Sequence, residues 1–182
     1  VLSVNGSVPW TLFSAAAQTE GGGEPIDLWV QSSTIGLAVV TGLTAAVTEV
    51  EGTARIDLHV TGPAENPLFD GGLGVENGAF TVPFLGRRFS GLTSTFRFDP
   101  GRMHVDALRV LDDDGDPLEV TGEVGLRRLA LGEIALKARG RAFGIVRNAL
   151  GTVDLDFDLE ATGPVTRPRV AGLTSVRTGR IE

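Results

Sequence analysis

The sequence predicts an all-β protein, an antiparallel sheet with one short helix. Apolar and polar residues alternate along most of the 182 residues, as in strands that have one apolar and one polar face. Turn-forming sequences separate the alternating segments and indicate hairpins between neighbouring strands. A motif also recurs in the second half of the chain. This repetition favours a β-structure that grows by adding units.

The alternation is clearest in residues 153–161, where every odd position is apolar and every even position is acidic. Weaker alternation covers 2–8, 26–30, 96–98, 103–110 and 134–138, and a change of parity near Ala107 predicts a bulge. The apolar residues that the alternation is predicted to place on one shared face are Ile56, Leu58, Val60, Phe80, Val82, Phe84, Phe96, Phe98, Leu118, Val120, Val124, Leu155, Phe157 and Leu159.

Three sequences with turn chemistry are predicted to close hairpins: Asn77-Gly78, Asp99-Pro100-Gly101 and the acidic run 112–116. Gly72 and Gly74 are likewise interpreted as hairpin glycines, because their strand context does not suit a dinucleotide-binding motif.

Apolar residues four positions apart in 34–47 predict the one short helix. A second helical or irregular stretch is indicated around 142–150.

The repeated motif begins at Thr61-Gly62-Pro63 and returns at Thr162-Gly163-Pro164, at an offset of 162 − 61 = 101 residues. Upstream, Gly52-Thr53 matches Gly151-Thr152 at a slightly different offset. We therefore divide the chain into a partial unit over 1–51, a full unit over 52–150 and the start of another unit over 151–182.

An ordered series of short motifs runs through the full unit. It comprises Val50-Glu51-Gly52-Thr53, the segment 60–71 that begins Val-Thr-Gly-Pro, Asn77-Gly78-Ala79-Phe80, Phe89-Ser90-Gly91-Leu92 and Leu118-Glu119-Val120-Thr121-Gly122. In this order the sequence resembles the C-terminal repeat region of the TamB and AsmA-like family of bacterial envelope proteins.

The resemblance implies a long, curved antiparallel sheet, the β-taco, whose concave apolar face forms a half-open groove. It also implies an inner-membrane-anchored protein of the periplasm. Such a protein carries phospholipid acyl chains towards the outer membrane, or supports outer-membrane assembly with a barrel partner bound through regions outside this sequence. The chain starts at Val1 without an export signal, and we interpret it as part of a longer protein that carries the anchor elsewhere.

Composition excludes several other classes. A net charge of −7 and a sequence pI of about 4.9 argue against nucleic acid as a partner. The absence of Cys removes disulfides, thiolate metal sites and cysteine nucleophiles. The sequence contains no phosphate loop, GxSxG elbow or HExxH pair.

We therefore expect no enzyme, no cofactor and no metal. His59 and His104 occupy polar positions of strands and are predicted to be exposed. The acidic run 112–116 is interpreted as a solvated hairpin turn, with a weak cation site as the alternative.

The apolar face leaves two functional hypotheses open. An open face would serve as a lipid-transfer conduit. A closed face would be the core of a structural or adhesive β-sandwich or β-solenoid module of a bacterial surface protein. A fragment of an outer-membrane barrel is disfavoured because the chain has no Tyr and few aromatic residues for an interfacial girdle.

Overall fold

A computed structural model describes residues 2–8, 25–38, 46–127, 130–148 and 151–180. Its ten strands are β1 (Leu2–Ser7), β2 (Ile26–Gly36), β3 (Thr48–Gly62), β4 (Leu68–Val82), β5 (Arg87–Asp99), β6 (Arg102–Leu111), β7 (Pro117–Arg127), β8 (Ala130–Asn148), β9 (Gly151–Pro164) and β10 (Arg169–Arg180). They form one sheet in chain order, and every neighbouring pair is antiparallel. The predicted all-β antiparallel fold is confirmed: the sheet is not closed, and β1 and β10 are its outermost strands among the described residues.

The predicted helix over 34–47 is wrong wherever its residues are described. β2 continues to Gly36, Leu37 and Ala38 form a short 3₁₀ turn, and β3 starts at Thr48. Residues 39–45 lie outside the described residues. A register shift between Ser32 and Ile35 puts residues three apart on the same face. The predicted pattern has a spacing of four residues, which also keeps side chains on one face of a strand of period two, so it did not distinguish a helix from the strand that contains Ile35.

Two predicted turns are instead interior parts of strands. Asn77-Gly78 lies within β4, where the register shifts against both neighbours and Asn77 adopts a left-handed φ of 52°. Gly72 and Gly74 also lie inside β4, opposite Asp57 and Arg55. Asn and Gly are common in bulges as well as in turns, so the residue type alone does not distinguish a bulge from a turn.

The irregular stretch around 142–150 also lies mostly within a strand, because β8 runs to Asn148. Its irregularity is real, since Ala142 has a φ of 52° at a register shift against β9. Residues 149–150 lie outside the described residues.

Other local predictions are confirmed. Thr95 pairs with Ala107 while Phe96 pairs with Val105, so a bulge lies where the parity changes. The sequences 99–101 and 112–116 connect β5 to β6 and β6 to β7 as hairpins.

Glycine holds equivalent places in the two copies of the repeated motif. Gly71 pairs with Leu58 and Gly172 pairs with Leu159, with φ values of 128° and 143°. A Cβ at either glycine would lie 2.1 Å from the carbonyl oxygen of Asp57 or Asp158, respectively. No side chain fits there, so each glycine is required by the close approach of the neighbouring strand.

The correspondence between the two halves of the chain extends beyond the motif that begins at Thr61-Gly62-Pro63. The segment Leu2-Ser3-Val4-Asn5-Gly6 of β1 matches Leu118-Glu119-Val120-Thr121-Gly122 of β7, and both terminal glycines have positive φ. β2 and β8 carry equivalent register shifts against their following strands, after Ser32 and Gly140. Strands β1–β4 therefore correspond to β7–β10, at a spacing of six strands.

The sheet folds over itself at the end marked by turns 83–86 and 112–116, which we call the folded end. Phe89, Val110 and Phe143 are buried there. The Phe89 ring lies 5.6 Å from that of Phe143, although β5 and β8 are not neighbours in the sheet. The backbone N–H of Arg147 donates to the carbonyl of Leu85 at 3.0 Å. β6 and β7 are shorter than β8, so the longer strands meet across the tip of the β6–β7 hairpin.

We predict that Gly71→Ala lowers the free energy of unfolding by about 2 kcal/mol or more, since the new Cβ meets a backbone carbonyl at a strained φ. Gly74→Ala in the same strand is the control, because its Cβ would lie 3.8 Å from the nearest atom, the Ser94 carbonyl oxygen. Urea unfolding of both variants checks this. Equal stability of the two variants would contradict the conclusion that position 71 requires glycine.

Candidate functional site

The structure places thirteen of the fourteen predicted face residues on strands, and twelve of the fourteen are half-buried. Val124 is buried. Phe84 is the misplaced residue: β4 ends at Val82, and Phe84 lies in the following turn with 86% of its surface exposed. Pro83 and the turn over 83–86 end the alternation at Val82, two residues earlier than predicted.

Four of these residues belong to the packed folded end. Phe80, Val82, Leu118 and Phe157 contact the cluster of Phe89, Val110 and Phe143. This part of the face is a closed core. The other nine residues that lie on strands are distributed along the remainder of the sheet.

The strand register joins the apolar residues into continuous rows perpendicular to the strands. The central row takes one residue from each of the ten strands: Leu2, Ser32, Ile56, Leu73, Phe96, Val105, Gly122, Leu136, Ala161 and Val170. A parallel row over β1–β9 contains Val4, Val30, Leu58, Gly71, Phe98, Met103, Val124, Ile134 and Gly163. A third row over β2–β10 contains Ile35, Ala54, Val75, Ser94, Leu108, Val120, Ala138, Leu159 and Gly172.

These three apolar rows contain no charged residue. Only Ser32 and Ser94 are polar, and both are buried. Most other members inside the sheet are half-buried, among them Ile56, Phe96 and Leu136. Ten strands span about 43 Å at about 4.8 Å per strand step. The rows therefore form a long apolar track. Among the described residues, neighbouring side chains shield this track from water only in part.

Outside the folded end, the opposite face carries the charges. Cross-strand ion pairs there include Arg97 with Asp106 at 2.9 Å and Arg102 with Glu123 at 2.7 Å. The pKa of Asp106 is lowered, chiefly by its hydrogen bond with Arg97. A shallow depression of about 400 Å³ on this face is lined by Arg55, Asp57, Glu76, Thr95 and the bare backbone of Gly72 and Gly74, among others.

Both histidines lie on this polar face, as predicted, but they are covered more than predicted. His59 stacks on Trp29 with ring centroids 4.0 Å apart, and its Nε2 lies 2.7 Å from a carboxylate oxygen of Asp27. His104 Nε2 lies 2.7 Å from Asp99, and its Nδ1 lies 3.4 Å from Glu123. The side chains are 27% and 17% exposed. Cross-strand neighbours account for this covering.

A buried ion cluster holds the folded end closed, and we call it the Arg87 cluster. Asp112 Oδ2 accepts hydrogen bonds from Arg87 Nη2 at 3.1 Å and from the Gly144 N–H at 2.7 Å. The Arg87 guanidinium also contacts Asp113 and Asp114. Both the Arg87 and the Asp112 side chain are fully buried. The cluster thereby ties β5, the β6–β7 turn and β8 together.

The predicted hairpin turn at 112–116 is present, but it is not fully solvated. Asp112 Oδ1 accepts from the backbone N–H groups of Asp114 and Asp116 at 3.0 and 2.8 Å, which closes the turn. Three carboxylates of the turn, Asp112, Asp113 and Asp114, lie close enough together to hold a cation. The Arg87 guanidinium lies against all three of them and supplies the positive charge.

Sequence reasoning missed Arg87 because no spacing rule links residue 87 to residue 112. The available signal was Gly144: an added Cβ there would lie 1.9 Å from Arg87 Nη2, so this strand glycine marks a close approach.

Asp156 ties the bulge in β8 to the edge strand. Its carboxylate accepts from the Ala142 N–H at 2.8 Å and from Arg177 Nε at 2.5 Å. The backbone hydrogen bond first, and then the Arg177 hydrogen bond, lower the pKa of Asp156 below its ordinary value. The ionised form is thus favoured in the folded protein.

Comparison with known proteins finds no match: no family model, no curated protein and no solved structure resembles the chain significantly. Among the described residues, no helix has the length and hydropathy that a bilayer crossing requires.

We predict that Arg87→Met destabilises the protein by about 3 kcal/mol, because it leaves the buried Asp112 carboxylate without its cation. The neighbouring Arg88 is the control, since its side chain is 40% exposed and pairs with surface glutamates. Arg88→Met should cost less than about 1 kcal/mol. Chemical unfolding measures both, and similar losses would contradict the central role of Arg87.

The lowered pKa of Asp156 predicts a pH dependence. Its stabilising effect is fully present above the ordinary value of 3.8 and is lost as the pH falls through the lower pKa of the folded state. Asp156→Asn should therefore lose less stability than the unmodified protein between pH 5 and about pH 2. Thermal melts over this range check the effect. Parallel curves for the two proteins would rule it out.

Proposed function

We propose that the apolar rows bind the acyl chains of phospholipids, and that the protein is a non-enzymatic lipid-transfer conduit of the bacterial periplasm. The observation that carries this proposal is the central row, which crosses all ten strands from Leu2 to Val170 without a charged residue.

An acyl chain needs a continuous apolar lining and no directional polar group. Half-buried side chains such as Ile56, Phe96 and Leu136 still have apolar surface in contact with water. A bound chain would remove that surface from water, at roughly 25 cal/mol per Å². Binding along a row would therefore be driven by the hydrophobic effect and would tolerate different lipids.

The length of the rows suits this role. The hydrocarbon core of a bilayer is about 30 Å thick, so the chains of one leaflet extend about 15 Å. Rows of about 43 Å would accommodate more than one such length end to end. A lipid could then move along the sheet without leaving an apolar surface.

The distribution of charge also supports lipid binding on the apolar face. Acidic and basic residues pair on the opposite face, for example Arg139 with Asp158 at 2.9 Å. That face is suited to water, whereas a charge among the rows would be costly to desolvate. The two faces thus divide the sheet into a solvated side and a side for lipid.

The resemblance of the sequence to the TamB and AsmA-like family supports a periplasmic location and an outer-membrane barrel as the partner. On that basis we propose a periplasmic segment of an inner-membrane-anchored protein, with support of outer-membrane assembly as a related role. A barrel partner would bind regions outside this sequence.

A structural or adhesive module is the second candidate. The packed cluster of Phe89, Val110 and Phe143 favours it, because there the same face is already a closed core. The two candidates differ in whether the rest of the face stays accessible.

We predict that Val120→Arg abolishes lipid capture and leaves the protein folded. Val120 lies in the third row and is half-buried, so the new charge would stand in the lipid path with room to reach water. Thr121→Arg, the next residue and on the polar face, is the matched control and should bind lipid like the unmodified protein. A fluorescent phosphatidylcholine titration measures binding, and circular dichroism melts measure folding.

Three outcomes would decide against the conduit. The unmodified protein could fail to bind the fluorescent lipid, or both variants could bind it equally. Val120→Arg and the parallel variant Leu58→Asp could also both fail to fold, which would indicate a closed core and support the structural module.

A further inference from the structure

An aromatic pair stands on the polar face of the sheet, on β2 and β3. The rings of Trp29 and His59 are nearly parallel, with 9° between their planes and 4.0 Å between their centroids. Asp27, also on β2, bonds to the imidazole and fixes its position. Because His59 covers one face of the indole, the other face points towards β1. Trp29 is 47% exposed, so this second face is in contact with water.

The second half of the chain shows what the fold accepts at these positions. Since β1–β3 correspond to β7–β9, Trp29 takes the place of Lys137. His59 takes the place of Glu160, which pairs with Lys137 across β8 and β9. The fold is therefore compatible with two opposite charges here, and packing does not explain an exposed indole.

The next pair along β2 and β3 differs in the same way. In the second half, Arg139 forms an ion pair with Asp158 at 2.9 Å. At the equivalent positions, Gln31 donates a hydrogen bond from Nε2 to Asp57 at 3.1 Å. A neutral amide thus stands beside Trp29 where the second half has a guanidinium.

The polar face of β1 lies at the foot of the indole and carries no charge. Asn5 pairs directly with Trp29 in the register, and all the polar side chains of this strand are exposed. These side chains are Ser3, Asn5 and Ser7. Their counterparts on β7 are Glu119, Thr121 and Glu123. Hydroxyl and amide groups therefore replace two carboxylates next to the exposed indole face.

A ligand that fits these groups has an apolar face and a hydroxyl-bearing rim. The indole face is apolar and carries the negative part of the ring quadrupole, so the C–H groups of a flat ring can stack on it. Hydroxyl and amide groups both donate and accept hydrogen bonds, which suits a rim of hydroxyls. Covering these neutral groups costs less than covering charges. A pyranose ring has both features.

We propose that Trp29 and the polar face of β1 bind a neutral oligosaccharide. One sugar ring stacks on the exposed face of Trp29 above Asn5, and the rings on either side of it follow β1 along Ser3 and Ser7. His59 is a positioning residue, since it supports the indole from behind.

This site is separate from the proposed lipid track, because it lies on the opposite face of the sheet. It uses the side chains of β1 and β2 and none of the backbone hydrogen bonds of a strand edge. A further strand paired with β1 would leave these side chains on the same face.

The test measures the binding of three neutral trisaccharides: chitotriose, cellotriose and maltotriose. Saturation-transfer NMR with the unmodified protein should show saturable binding of at least one of them. Trp10 is the only other tryptophan in the sequence, so a Trp10→Phe variant makes the fluorescence report on Trp29 alone. The bound sugar should protect this fluorescence from quenching by acrylamide.

The second half of the chain supplies the variant and its control. Trp29→Lys introduces the residue type found at the equivalent position 137, and it should weaken sugar binding by about tenfold or more because the stacking is lost. Lys137→Ala is the matched control and should bind sugar like the unmodified protein. Circular dichroism melts should show that both variants fold.

Several results would overturn the proposal. They are no saturable binding of any of the three sugars, no protection of Trp29 from acrylamide, or equal binding by the two variants. A Trp29→Lys variant that does not fold would show that the fold needs the indole, against the comparison with Lys137. Binding of a proline-rich peptide in place of the sugars, lost in Trp29→Lys, would assign the surface to a polypeptide instead.

Discussion

The structure depends on one constraint, the continuous register of ten antiparallel strands. Because each strand has a side-chain period of two, a slip of one residue between any pair would exchange the apolar and polar faces of everything beyond it. The cross-strand pairs show that no such exchange occurs: Ile56 faces Leu73, which faces Phe96, and the row continues to the edge. Where an extra residue is inserted, as beside Ala107, the bulge restores the same face on its far side.

Curvature and closure follow from local exceptions to this regularity. Left-handed residues at Asn77 and Ala142 accompany register shifts near the folded end, where the strands fold over the Phe89 cluster. The Arg87 cluster then ties β5 to β8 over the β6–β7 turn. The chain thus closes its apolar face at one end of the strands and leaves the rest as rows of half-buried side chains. The strands that carry the proposed lipid track also show the repeat, since β1–β4 correspond to β7–β10.

Much of the fold could be predicted from the sequence, because alternation in segments such as 153–161 reports directly on a strand with one dry face. Thirteen of the fourteen predicted face residues lie on strands for this reason. The errors come from patterns with two structural uses: Asn77-Gly78 forms a bulge where a turn was predicted, and the four-residue spacing in 34–47 fits a strand as well as a helix. Arg87 could not be predicted, since its partners at 112–114 come into contact only when the sheet folds over. The match of β1–β2 with β7–β8 was missed because loops of different length separate their strands.

Lipid transfer by this protein requires that the apolar rows stay accessible and bind acyl chains. The most direct measurement places a photoreactive amino acid at Phe96, in the central row, and in a second protein at Thr95, the adjacent residue on the polar face. Both are irradiated with radiolabelled phospholipid. We expect lipid crosslinks from position 96 and few or none from position 95. Equal crosslinking from the two positions, or none from position 96 in a folded protein, would contradict it.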